Sequence, residues 1–228
     1  MINSTKLFYL DTNCLIHARH YLACKANNIA EAHYPQGVRT GRTVVEALEE
    51  CRNKNQYVLV VTSTLSKFEI NQRYRKWIAK NTFLKLNVPI ETIDGRERDV
   101  FGSLASLPPT TKSEFESEIK DSVNWLYGWE YKDIVTVQFP KPQIFEIADP
   151  MQFWQHRISL QDSLQLAIAL SIGANYFVSG DGDLLGFTTD IHKQLIENNQ
   201  LPDGTAYDPQ LEPISPKTFL DKVSSLRM

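Results

Sequence analysis

Five acidic residues have types and positions that suit a cation-binding or catalytic cluster, although they lie far apart in the chain. Each stands at the end of an apolar run or near the start of a predicted helix: Asp11, Glu69, Asp162, Asp181 and Asp183. If they met within a few ångströms, their mutual repulsion would prevent all five from being ionised at the same time without a bound cation. A divalent cation would remove that conflict, and an oxygen-only site favours Mg²⁺ or Mn²⁺. Such a site can activate water and stabilise the phosphate of an in-line displacement.

Each acid taken alone also has a plainer interpretation. Asp162 follows Ser159 by three positions, a spacing typical of a helix cap, and Glu69 stands among polar residues that suit a solvated helix face. The histidines show no zinc-binding spacing and CxxC is absent, so no zinc site is predicted. The clustered interpretation is favoured because Asp11 and Asp181 end apolar runs, where a carboxylate at the core edge needs a partner.

Strands and helices that would carry these acids alternate along the chain. Apolar runs predict buried strands at 6–11, 57–63 and 174–181. Helices are predicted at 14–27, 42–56, 64–83 and 158–171. The stretch 32–41 is predicted to be a loop because it contains Pro35, Gly37 and Gly41. This alternation predicts crossover units around a parallel sheet, with the strand-end acids facing a ligand crevice.

Local signals also mark the ends of two predicted helices. Ser159 is expected to cap the helix over 158–171, and Gly173 is expected just beyond its end. Ser215 followed by Pro216 predicts the start of a C-terminal helix, preceded by a short strand near residues 211–214.

Three segments together resemble the motifs of PIN-domain nucleases. They read LFYLDTNCLI, TSTLSKFEI and SLQDSLQLAIALSIGANYFVSGDGDLL, and the resemblance covers residues 5–82 and 158–190. It implies a three-layer α/β/α fold with a central, mainly parallel sheet, and Mg²⁺- or Mn²⁺-dependent hydrolysis of RNA. Position by position, four acids match the metal site of that family and are the implied catalytic residues: Asp11, Glu69, Asp162 and Asp181. Asp183 matches a frequent fifth acid.

The same resemblance implies roles for two polar neighbours. Asn13 matches the residue that braces the first acid, and Ser179 matches the hydroxyl residue near the fourth. Both would orient the carboxylates that hold the cation.

Basic residues crowd the predicted helix that carries Glu69. Phosphate contacts need such cations, so this helix is a candidate surface for substrate. The candidates are Lys67, Arg73, Arg75 and Lys76. The net charge of −3 excludes a generally basic nucleic-acid-coating protein, but it does not exclude a local basic groove.

The leading hypothesis is therefore an endoribonuclease that uses Mg²⁺ or Mn²⁺, of which the toxin of a toxin–antitoxin pair is one form. The implied partners are RNA, an antitoxin protein and a second copy of the chain. Two alternatives stay open: a catalytically silent binding or scaffold module of the same fold, and a structure-specific DNA nuclease. A phosphohydrolase of another α/β family is disfavoured because no GxxxxGK[ST] loop is present.

Length and composition indicate one ordinary globular domain. The 228 residues, 42% hydrophobic, suit a single PIN-like domain over 1–228 with an insertion at 84–157, where three prolines between 139 and 150 break regular structure. Three cysteines without a pairing pattern indicate a reducing, cytoplasmic setting. No apolar window approaches the length needed to span a bilayer, so no membrane association is expected.

Overall fold

The computed structural model divides the chain into two compact units. One comprises Met1–Ser66 with Asp133–Met228, and the other comprises Lys67–Lys132. The structure describes residues 5–54, 57–93, 108–140, 144–148, 159–182, 184–186 and 211–226. Within these ranges, no helix is both long enough and apolar enough to cross a membrane.

A parallel sheet forms the centre of the first unit. Its strands are β1 (Lys6–Leu10), β2 (Val58–Ser63), β3 (Val135–Gln138), β4 (Tyr176–Val178) and β5 (Glu212–Ile214), in the spatial order β3-β2-β1-β4-β5. Every pair is parallel, and Phe8 of β1 faces Val60 on one side and Tyr176 on the other. The near-continuous apolar sequence of β1 and β2 fits strands covered on both faces.

Helices connect and cover these strands. Their bounds are α1 (Thr12–Ala26), α2 (Gln36–Asn53), α3 (Thr64–Lys85), α4 (Ile90–Ile93), α5 (Pro109–Gly128), α6 (Leu160–Ser171) and α7 (Pro216–Ser225), with a 3₁₀ turn at Glu31–His33. Helix α3 begins in the first unit and continues into the second, where α4 and α5 also lie.

The sheet is buried on both faces. Successive side chains of a strand point to opposite faces. Phe8 packs against Phe219 of α7 on one face, with ring centroids 4.9 Å apart. Tyr9 lies on the other face, stacked on Phe177 at 5.7 Å, in a cluster with the apolar residues of α6. The predicted three-layer α/β/α fold with a central, mainly parallel sheet is confirmed.

Helix ends follow the local signals in the sequence. The Ser159 hydroxyl accepts a hydrogen bond from the backbone N–H of Asp162, and Gly173 has a φ of +67°, a conformation that favours glycine. The Ser215 hydroxyl accepts from the N–H of Thr218, and Pro216 occupies the first position of α7. These capping predictions are confirmed.

The predicted loop over 32–41 is wrong for its second half. Helix α2 begins at Gln36, directly after Pro35, and Gly37 and Gly41 both lie inside it. A Cβ atom at Gly41 would lie only 1.9 Å from the carbonyl oxygen of His17 on α1. Glycine stands in this helix because the α1 backbone passes against it, and packing outweighs glycine's poor helix propensity.

A buried lysine joins α2 to the end of α7. Lys54 follows α2, has a relative exposure of 9%, and its Nζ donates to the carbonyl oxygens of Val223 and Ser224 at 2.9 and 2.8 Å. The last carbonyls of a helix lack partners within that helix, and a cation there also complements the helix dipole. Lys54 therefore anchors the end of α7 to the end of α2.

Candidate active site at the carboxyl edge of the sheet

The chain order of the strands defines a switch point between β1 and β4. From the central β1 the chain proceeds to β2 and β3 on one side, then returns to β4 and β5 on the other. In open α/β sheets, ligands bind in the crevice at the carboxyl ends of strands where the order reverses in this way. Asp11 directly follows β1, and Ser179 directly follows β4. Both residues therefore lie at the position where this topology forms a ligand crevice.

Asp11 is a buried carboxylate held by both neighbouring elements. Its relative exposure is 2%. Its backbone N–H donates to the carbonyl oxygen of Val178 at 3.0 Å, and its own carbonyl accepts from the first turn of α1. The carboxylate does not cap α1; instead Oδ2 accepts a hydrogen bond from the Ser179 hydroxyl at 2.9 Å. The positive end of the α1 dipole favours a negative charge here.

Ser179 connects Asp11 to Asp181. While its hydroxyl donates to Asp11, its oxygen accepts from the backbone N–H of Asp181 at 3.1 Å. Asp181 is exposed and begins a helical turn, in which its carbonyl accepts from the N–H of Leu185 at 3.0 Å. One hydroxyl thus links the carboxylate of the buried Asp11 to the backbone of the exposed Asp181.

The negative charge at this edge affects a neighbouring thiol. Burial, reinforced by the charge of Asp11, raises the pKa of Cys14 well above its ordinary value. The Cys14 Sγ donates to the carbonyl oxygen of Val178 at 3.4 Å, across the same junction. Cys14 is therefore a protonated packing residue in the first turn of α1, and all three cysteines are free.

Asp162 takes part in the cap of α6. Its Oδ2 accepts from the Ser159 hydroxyl at 2.6 Å, while its N–H donates to the same hydroxyl at 3.1 Å. The capping interpretation of Asp162 is thus confirmed. Capping leaves room for a second role, because a carboxylate has several lone pairs.

Gln165, one turn after Asp162, is the main residue that the sequence analysis missed. It is fully buried, and its Nε2 donates to the hydroxyl of Thr12 at 2.9 Å. Thr12 is the residue that follows Asp11 in the chain. A weak signal was available: Gln165 is polar within the apolar run LQLAIAL, and it shares a helix face with Asp162 because it lies three positions on.

Most of the remaining predicted site residues lie on α1 and α3. Asn13 is half-exposed in the first turn of α1. Glu69 is half-buried on α3, in the second unit. The predicted substrate-binding cations lie on the same helix: Lys67 is half-buried, whereas Arg73, Arg75 and Lys76 are exposed. Asp183 lies outside the described residues.

Comparisons with known proteins found no match that bears on this site. The chain matches no family model, no curated protein and no solved structure. Among the described residues, no three His, Cys, Asp or Glu side chains form a group that could hold a metal ion. The described site therefore consists of the Asp11–Ser179–Asp181 junction, to which Gln165 of α6 is linked through Thr12.

Proposed function

We propose that the protein is an endoribonuclease of the PIN type that hydrolyses RNA with the help of Mg²⁺ or Mn²⁺. The observation that carries the proposal is the junction at the switch point, where Ser179 joins the buried Asp11 to the exposed Asp181. Burying a carboxylate is unfavourable unless polar or charged partners compensate. A fold that buries one where α/β sheets bind ligands favours a chemical role for it.

The donor set suits a hard cation. Mg²⁺ keeps several water ligands and commonly takes only one or two protein carboxylates together with substrate phosphate oxygens. Asp11 and Asp181 would supply those two carboxylates. When bound, the ion would neutralise charge on the phosphate and lower the pKa of a water molecule. Asp162 and Asp183 are proposed as further oxygen ligands.

Glu69 is proposed as a ligand or as the base that takes a proton from the attacking water. The support for it is the segment TSTLSKFEI, which carries Glu69 and resembles a motif of PIN-domain nucleases. Asn13 and Ser179 are proposed to orient the carboxylates, a role for which the Ser179 bond to Asp11 is direct support.

RNA is the proposed substrate because PIN-domain nucleases, which the motifs resemble, usually act on RNA, and the cations on α3 suit its phosphates. Lys67, Arg73, Arg75 and Lys76 are proposed to contact its phosphates. A cytoplasmic setting is part of the proposal and agrees with the three free cysteines. An antitoxin protein and a homodimer remain proposed partners.

The test is cleavage by Asp11→Asn, with Asp221→Asn as the control. Asp221 is an exposed acid on α7, so its replacement keeps the net charge of the two variants equal. Wild-type protein and the control should cleave single-stranded RNA with Mg²⁺ or Mn²⁺ and stop with chelator. Asp11→Asn should be slower by at least about 100-fold while its circular dichroism stays native.

Three results would contradict the proposal. Undiminished cleavage by Asp11→Asn would remove Asp11 from the chemistry. Cleavage of sequence-matched DNA but not RNA would favour the structure-specific DNA nuclease. If wild-type protein neither cleaves nucleic acid nor binds Mn²⁺ in calorimetry, the silent binding module would be the better hypothesis.

A further inference from the structure

A buried chain of hydrogen bonds surrounds the Gln165 side chain. Its Oε1 accepts from the hydroxyl of Tyr9, and from that of Ser63 at 3.3 Å. Its Nε2 donates to Thr12 Oγ1 at 2.9 Å and to Ser66 Oγ at 3.1 Å. All five residues are buried. A primary amide offers two donor hydrogens and two acceptor lone pairs, so this amide uses its full capacity.

The chain has a definite direction beyond Ser66. Thr62 Oγ1 donates to the carbonyl oxygen of Leu10 at 3.1 Å. A hydroxyl has a single proton, so in the 2.9 Å bond between Thr62 and Ser66 it is Ser66 that donates, and this bond is shorter than the 3.5 Å alternative from Ser66 to Gln165 Oε1. Ser66 in turn accepts from the Gln165 amide. The direction therefore runs from Gln165 through Ser66 and Thr62 to the backbone of Leu10.

Both branches of this chain end beside Asp11. One reaches the carbonyl of Leu10, the residue before it, and the other reaches the hydroxyl of Thr12, the residue after it. We propose that Gln165 is the positioning residue of the active site, because its amide bonds the Thr12 hydroxyl directly and is linked to the Leu10 carbonyl through Ser66 and Thr62. Gln165 touches neither substrate nor cation in this role; it acts through Asp11.

A hydrogen-bond network beside Asp11 would restrain the position of its carboxylate. The β1–α1 junction must place one carboxylate while the backbone changes from strand to helix. In a low-dielectric interior, a fully satisfied polar network rigidifies its surroundings more than apolar packing, which has no directional preference. The positioning role rests on the proposed function, because a fixed Asp11 carboxylate matters for holding a cation. The restraint on the backbone stands independently of that function.

Two variants of similar burial separate positioning from stability. Gln165→Met keeps the length of the side chain but removes both amide donors. Lys54→Met likewise removes buried donors, but those donors hold the end of α7. Both variants should unfold at lower urea concentrations than wild type. Only Gln165→Met should weaken Mn²⁺ binding in calorimetry, by about 10- to 100-fold, as is typical when an outer partner of a metal ligand is lost.

Hydrogen–deuterium exchange gives a second readout that needs neither cation nor activity. Gln165→Met should speed amide exchange at residues 11–15, whereas Lys54→Met should speed it in α7. If Gln165→Met does not fold, Thr62→Val cuts the branch to Leu10 with little change of shape and should give the same pattern. Its valine retains the volume of threonine but has no hydroxyl to donate.

The outcomes separate the two proposals. If wild type binds Mn²⁺ and the variant at position 165 or 62 binds it equally well with unchanged exchange at 11–15, the positioning role is wrong and the nuclease proposal stands. If wild type binds no Mn²⁺, the nuclease proposal fails and the positioning role in a metal site fails with it. Faster exchange at 11–15 would then support only the backbone restraint.

Discussion

Replacing Gly41 by alanine tests the close approach of α1 and α2. The added Cβ would lie 1.9 Å from the carbonyl oxygen of His17 and 2.3 Å from its carbonyl carbon, whereas real Cβ atoms essentially never come within 3.0 Å of such atoms. The helices would have to separate by roughly 1 Å, and overpacking a core costs about 1–3 kcal/mol. Because the obstacle is backbone, we expect the upper end of that range.

Helix propensity opposes part of this loss. Alanine is favoured over glycine by about 1 kcal/mol in a helix interior. The net loss in the free energy of unfolding should therefore be about 2 kcal/mol. With a urea dependence of about 2 kcal/mol per molar, the unfolding midpoint should fall by about 1 M.

Gly37→Ala is the matched control because it makes the same change in the same helix. Its Cβ would meet the imidazole Nε2 of His17 at 3.1 Å, a side-chain atom that can move. We expect this variant to be neutral or more stable by up to about 1 kcal/mol. Circular dichroism in urea measures both variants, and equal midpoints for the two would refute the packing argument at Gly41.

Two further predictions concern buried groups. Lys54→Met should lower the free energy of unfolding by about 2 kcal/mol, because two carbonyls at the end of α7 lose a charged donor; an unchanged urea midpoint would show that water replaces it. At pH 8 iodoacetamide should modify Cys24 in the folded protein before Cys14 or Cys51. Burial is the main cause that raises the pKa of Cys14 well above its ordinary value and that of Cys51 to about 12, so both thiols stay protonated, whereas Cys24 is half-exposed. Equal labelling rates, measured by peptide mass, would contradict this.

The sequence predicted features that depend on neighbours in the chain or on burial pattern. Two apolar runs mark the strands on either side of the switch point, and Ser159, Gly173 and Ser215 mark helix ends. Side-chain caps act over three residues, so their signals are local. Acids at strand ends also predicted that Asp11 and Asp181 lie at the same edge of the sheet, because parallel topology brings such positions to one edge.

Long-range contacts decided the features that the sequence did not predict. Gly41 suggested a loop because glycine has a poor helix propensity. Only the folded structure shows the His17 carbonyl against it, which explains a glycine inside α2. In the sequence, Gln165 is one polar residue on a predicted helix. In the structure its amide donates to Thr12 and Ser66, which lie on other helices. Asp162 kept its local capping partner, Ser159, as its neighbours in the chain suggested.

By itself, then, the sequence determined the strand–helix alternation, the caps and the edge of the sheet where Asp11 and Asp181 lie. Only the tertiary structure decided that Ser179 joins those two acids and that Gln165 bonds the Thr12 hydroxyl beside Asp11. The physical reason is range. Propensity and capping act within one or two turns, whereas a buried hydrogen bond depends on which distant residue packing brings to the donor.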